Sequence, residues 1–228
     1  MRTRFTMPSS MRPAVPPVAA ARTKWQFRCG VLVLIALAFW FMSGWMRASI
    51  GRSLVCTPDG RPSDALVIDN FDNHYLVFER ASDLRHSGRA TRVLVPVTAD
   101  VSGLRAHKMA IGFTDVMARI ARLGPYEVVP ARHVEPISLN VARDVLAFLK
   151  QHGIRSITLV SPVFRSRRSV LIYTDTLAPA GIRVSCEPSA GPQETEAWTD
   201  TWHGIQNVVE QWIKLQYYRL YVLPFAAD

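Results

Sequence analysis

The first 28 residues contain no acid. Six of the chain's 27 Lys and Arg residues lie there (Arg2, Arg4, Arg12, Arg22, Lys24 and Arg28), and none of its 18 Asp and Glu. The rest of the chain is close to balanced, so the net charge of +9 largely belongs to an arm and not to a nucleic-acid-binding surface. No nucleic-acid partner is expected. Glycine is absent where nucleotide-binding folds most need it: ALVIDNFDNHY follows an apolar run with Asp69, Asn70, Asp72, Asn73 and His74. Without glycine a backbone cannot approach a phosphate closely, which removes the simplest nucleotide cradle from that loop. HExxH, a phosphate loop and a credible Ser-His-Asp order are missing too, so the common zinc hydrolase, NTPase and serine hydrolase chemistries have no support. No metal site is expected, because the Asp/Asn alternation lacks both the turn glycine and the distal glutamate of a calcium loop. There is no internal repeat, and the one biased segment is the Pro/Ala-rich Met7 to Ala21, expected to be disordered.

Charge is also absent from Gly30 to Met46 (GVLVLIALAFWFMSGWM). With its flanks, this run is long enough to cross the roughly 30 Å hydrocarbon core of a bilayer. A cleaved signal peptide is the competing interpretation. A 28-residue leader, and Trp and Met where small residues should precede a cleavage site, favour a retained anchor. The basic arm then stays cytoplasmic, and everything after the anchor is exported across the inner membrane. The expected division is a disordered arm (1–28), a transmembrane helix (29–47), a tether (48–63) and an α/β domain (64–228). Cysteine is sparse. Cys29 reads as inert at the membrane edge, while Cys56 and Cys186 fit either an oxidised pair or two buried free thiols, the second being preferred.

From Asp64 onward strands and helices alternate. DALVID, RVLVPV, YEVVP, SITLVS and IRVSC are short apolar runs of the kind covered on both faces. Helical spacing fills the gaps: Leu76–His86, Leu104–Leu123, a helix from Ser138 to Gly153 and one from Arg167 to Gly181. In the second of these Ile111, Val116, Met117, Ile120 and Leu123 make the expected inward stripe, and Ser138 or Asn140 is the expected cap of the third. A last helix, Glu194 to about Tyr221, aligns Trp198, Trp202, Ile205, Val209 and Trp212 on a face expected to be buried. This order predicts a Rossmann-like three-layer sandwich with a mainly parallel five-stranded sheet.

Ligands of such sheets bind beyond the carboxyl ends of the strands. Three polar loops should gather there: DNFDNH with Asp69 and Asn70, RHVEPISLN with Glu135, Ser138 and Asn140, and SPVFRSRRS with Ser161, Arg165, Arg167 and Arg168. Three arginines at the mouth of a helix oppose its dipole, so helix stability alone would not select them. Beside free helix amides they suit a phosphate or carboxylate. Arg168 is the leading anion ligand, with Asp69 and Glu135 as hydroxyl acceptors or a candidate base. A solvated basic turn, and Asx-turns for the Asn and Asp residues, are the structural alternatives.

Several motifs in order resemble the YdcF-like family, which includes the SanA and ElyC envelope proteins. DALVID is similar to its first strand, ERASDLRHSGRATRVLV to the helix running into its second, EPISLNVARD to an E-x-x-S-x-N segment, and EQWIKLQYY to its closing Glu-x-x-Lys-Leu and tyrosines. The resemblance covers roughly 64–218. It implies an envelope protein with one membrane helix, linked to glycan or lipid-carrier metabolism, with an anionic small molecule or glycan-lipid as ligand and other envelope proteins as possible partners. No cofactor is named by the residues. The chain departs from the family at its first two glycine-bearing loops and has Arg165 where the family has histidine. Two alternatives therefore stay open: a non-catalytic envelope scaffold, and a nucleotide or S-adenosyl-methionine binding domain, which requires the opposite topology.

Overall fold

The computed structural model describes residues 18–69, 74–98, 104–189 and 197–225. It divides into two compact units, Met1–Met46 and Arg47–Asp228. In the first, helix α1 (Val18–Ser53) begins and carries the uncharged run. Among the described residues, no helix is long and apolar enough to cross a membrane.

The second unit is built on five parallel strands, β1 (Ala65–Ile68), β2 (Arg92–Thr98), β3 (Glu127–Ala131), β4 (Ser156–Ser161) and β5 (Arg183–Pro188), in the order β3-β2-β1-β4-β5. Between them lie α2 (Tyr75–His86), α3 (Leu104–Ile120), α4 (Ile137–Gln151) and α5 (Ser166–Leu177). Side chains alternate across the sheet, as the two-residue period of a strand requires. Leu66, Ile68, Val93 and Val95 point to the layer holding Phe78 and Ala118, while Ala65, Val67, Leu94 and Leu159 point to the layer holding Val145 and Ile172. Both faces are covered, which is why the strands read as unbroken apolar runs. The expected α/β class is present, and the sheet, expected to be mainly parallel, is parallel at every pairing. Gly88 and Gly153 sit at φ 75° and 66° just past α2 and α4, a conformation that ends helices and suits glycine.

Four expectations are corrected. The first concerns residues 48–63, which do not behave as a loose tether: helix continues to Ser53, and Leu54 is buried against Val163, Phe164, Val208 and Leu215. The second concerns the cysteines. Cys56 and Cys186 form a disulfide with Cα atoms 6.5 Å apart, because the segment after Leu54 lies alongside β5, where Ser185 donates to Asp59. In α3, thirdly, the expected stripe holds in part: Ile111, Met117 and Leu123 pack inward, joined by the small residues Thr114, Ala118 and Ala121, while Val116 and Ile120 face outward with Phe113. Small residues on the inner face let the helix approach the sheet closely, so bulk alone did not mark that face.

The fourth correction falls on the last helix, α6 (Trp202–Tyr217), which runs on through a π-helical turn at Tyr218–Val222. Its buried side is Val208, Gln211, Leu215, Tyr218 and Val222, while Trp202 is 72% and Trp212 47% exposed. Counting apolar residues missed this face by one position, because its centre is the polar Gln211.

Candidate functional site

The strand order reverses between β1 and β4, which both start near the middle of the sheet and lead to opposite halves. Side chains beyond their carboxyl ends are spread apart by that divergence, leaving a crevice. Here it is a cleft of ≈ 120 Å³ lined by His74, Pro162, Phe164, Arg165, Asn207 and Gln211, among others. His74 precedes α2, Pro162 to Arg165 follow β4, and α6 closes the far side.

Asp69 follows β1 directly, its amide donating to Val160 O at 2.9 Å, so its side chain is delivered to the sheet edge at 2% exposure. Two groups hold it. Ser169 Oγ donates to Oδ2 at 2.5 Å, and the Arg165 guanidinium lies 3.6 Å from Oδ1. Arg165 itself is 8% exposed, so this ion pair is largely out of water. Nearby on α5, Tyr173 is wholly buried; burial first, and then the negative charge of Asp69, push its phenol well above the ordinary range. The hydroxyl therefore keeps its proton, and it has no hydrogen-bond partner among the described residues.

Arg168 lies one helical turn from Arg165 and serves a different purpose. Its Nη1 donates to Ser138 Oγ at 3.4 Å and its Nη2 to Gln211 Oε1 at 3.0 Å, with the guanidinium 5.5 Å from the ring centre of Tyr218. One buried side chain thus ties α4, α5 and α6 together. Arg167 diverges again and is exposed, and its backbone amide donates to Leu54 O at 3.0 Å. The amino end of α5 is thereby closed by the segment after α1, not left free for an anion as expected.

The remaining sequence candidates are distributed unevenly. Ser138 joins the cluster through Arg168. Ser161 ends β4 with a buried hydroxyl that lacks a hydrogen-bond partner among the described residues. Glu135 is exposed and is spent on its own helix, its Oε2 accepting from Ile137 N at 3.3 Å; it, and not Ser138 or Asn140, satisfies the start of α4. Asn140 donates to Val134 O at 2.9 Å, tightening the same turn. Neither Glu135 nor Asn140 hydrogen-bonds to Asp69, Arg165 or Arg168 among the described residues. Asn70 lies outside the described residues, as do Asp72 and Asn73.

Ser169, Tyr173 and Gln211 belong to the cluster and were not singled out from sequence. The spacing held a signal for Ser169. Positions 165, 168, 169 and 173 recur at three and four residues, so they share one helix face, and that face meets the strand ends. Glu187, at the carboxyl end of β5, was missed as well. It is buried and bridged by Arg80 at 2.7 Å and Arg89 at 3.8 Å, a pairing that holds α2 against the edge strand. Among the described residues there is no group of His, Cys, Asp and Glu placed to hold a metal ion.

Chemically the arrangement offers one guanidinium that borders a small cleft while balanced by a carboxylate behind it. An anion entering the cleft would share Arg165 with Asp69. No family model, no curated protein and no solved structure matches this chain.

Proposed function

We propose that this is a membrane-anchored protein of the cell envelope, YdcF-like in type, whose exported domain binds a small anionic group at the carboxyl edge of its sheet. The group belongs to a phosphorylated or glycan-linked compound, such as a lipid-carrier phosphate. The observation carrying this proposal is the Arg165 guanidinium on the wall of the cleft at the β1–β4 divergence, held by Asp69 from behind. The disulfide between Cys56 and Cys186 supports export, since such bonds persist in oxidising compartments. The basic, acid-free arm before the uncharged run supports a cytoplasmic amino end. Membrane passage is assigned to Gly30 to Met46 on its lack of charge alone, since no described helix is long and apolar enough to count as a span.

Binding is favoured over catalysis because the carboxylate nearest Arg165 is already engaged by Ser169 and Arg165, and Glu135 is exposed and capping its own helix. Heating the detergent-solubilised full chain with inorganic phosphate, a polyprenyl phosphate or a nucleotide sugar tests this. A phosphorylated compound should raise the melting temperature of the wild type and of Arg119→Ala, and leave Arg165→Gln unmoved. A shift retained in Arg165→Gln would refute the assigned role. Reporter fusions after Asp228 test the orientation: activity of a periplasm-dependent reporter is expected, and activity of a cytoplasm-dependent one alone would overturn it.

A further inference from the structure

The outward side of α6 and its π-helical continuation carries large apolar side chains from end to end, with the polar Gln206 and the Glu210–Lys214 pair between them. Trp202, Ile213, Leu220, Tyr221 and Phe225 are between 56% and 72% exposed. Soluble monomers rarely leave so much large apolar surface in one place. Beside it runs an open groove of ≈ 630 Å³, walled by Trp212 and Leu171, which Arg52, Arg167 and Arg219 line and which no carboxylate among the described residues lines. The short turn that leads into α6 is also fastened to Arg47, the residue after the uncharged run. Trp198 Nε1 donates to Arg47 O at 3.2 Å, and Arg47 Nη1 donates to Thr199 Oγ1 at 3.4 Å.

We propose that this face lies on the bilayer that the chain enters, and that the groove seats the headgroup of an anionic phospholipid. It rests on the anchored placement proposed above. Three observations select a lipid surface as occupant. Trp and Tyr beside Arg is the composition of elements that lie in a membrane interface, where the rings sit at headgroup level and the guanidinium groups meet phosphate. The groove is open and half apolar, which suits a headgroup with the start of its acyl chains better than a soluble anion. Its attachment at Arg47 puts it within a few residues, along the chain, of the membrane boundary. A second copy of this chain is disfavoured, because a two-fold contact would set the same unbalanced arginines against each other.

The test uses the full chain with Trp25, Trp40 and Trp45 replaced by phenylalanine, reconstituted into vesicles of phosphatidylcholine with or without phosphatidylglycerol. Flotation reports the anchor, and quenching of the remaining tryptophans by lipids spin-labelled near the headgroup reports the face. Quenching of more than half the fluorescence is expected with phosphatidylglycerol. The triple variant Arg52→Ala, Arg167→Ala, Arg219→Ala should lose at least half of that quenching while floating as before, and 0.5 M salt should weaken it further in the direction screening requires, a Debye length of about 4 Å or less. A chain that floats with unquenched tryptophans overturns the proposal and leaves the anchor standing. Unquenched tryptophans together with cross-linking through Trp212 neighbours assign the face to a second copy instead. A chain that does not float removes the anchor, and this inference with it.

Discussion

Two regions of this domain collect arginine, and they treat it in opposite ways. At the carboxyl edge of the sheet, Arg165 and Arg168 are at most 8% exposed and each is matched to named acceptors. In the groove beside α6, Arg52, Arg167 and Arg219 face solvent, and no carboxylate among the described residues lines the same walls. A charge taken out of water costs several kcal/mol unless paired, so the first set is bound to its partners and to the fold. The second set costs the fold almost nothing and is free to serve a ligand. Arg167 and Arg168 are adjacent in sequence and fall on opposite sides of this division.

The largest effect should come from breaking a match in the buried set. Asp69→Ala removes the buried carboxylate that faces Arg165 and accepts from Ser169, and should destabilise the domain by about 3–5 kcal/mol in urea unfolding. A loss under about 1 kcal/mol would mean that the pair is not buried in the sense argued here. Next comes the covalent tie that holds the amino-terminal segment over the α5 end. Reducing Cys56–Cys186, or replacing both cysteines by serine, should cost about 2–4 kcal/mol, and an unchanged midpoint under reducing conditions would contradict the bond's contribution.

A smaller effect is expected of pH at the opposite edge of the sheet. Asp64 accepts from the backbone amides of Arg155 and Ser156, and these bonds, the Arg155 one first, hold its carboxyl below the usual carboxylate range. A depressed folded-state value means that the stabilisation is present above the unfolded value, near pH 4, and is lost as pH falls through the folded one. Asp64→Asn should therefore flatten the acid limb of the stability profile and change nothing near pH 7 beyond a constant offset. An acid limb identical to that of the wild type would contradict it. The smallest effect belongs to the groove: Arg219→Ala should leave folding stability within about 0.5 kcal/mol of wild type. A loss of 2 kcal/mol or more would erase the contrast between the two arginine sets.

How far these features were legible depends on the residue's reason for being where it is. The strands were plain because each is buried on both sides and had to be apolar throughout. Asp69 was legible as the polar residue ending such a run, and Arg168 as an arginine that a helix start does not want. What could not be read was which partner each would take. Glu135 looked like a base and is a cap, because the start of α4 at Ile137 puts its amide within reach of a carboxylate two residues back. The disulfide was hidden because it joins positions 130 residues apart through a segment that composition marks as a loop. The α6 face was misread because Gln211 stands at its centre, placed there to satisfy Arg168. In each case a polar residue answers a neighbour distant in sequence, which no local pattern records.

Among the described residues, Arg165 is the guanidinium that belongs to both categories, buried and paired yet bordering open space, and the proposed function stands on it. A crystal of the protein soaked in tungstate, a heavy tetrahedral mimic of phosphate, tests it most directly. The account predicts a strong peak in the cleft within hydrogen-bond distance of Arg165. A cleft without density, in a crystal whose tungstate sits only among Arg52, Arg167 and Arg219, would contradict it.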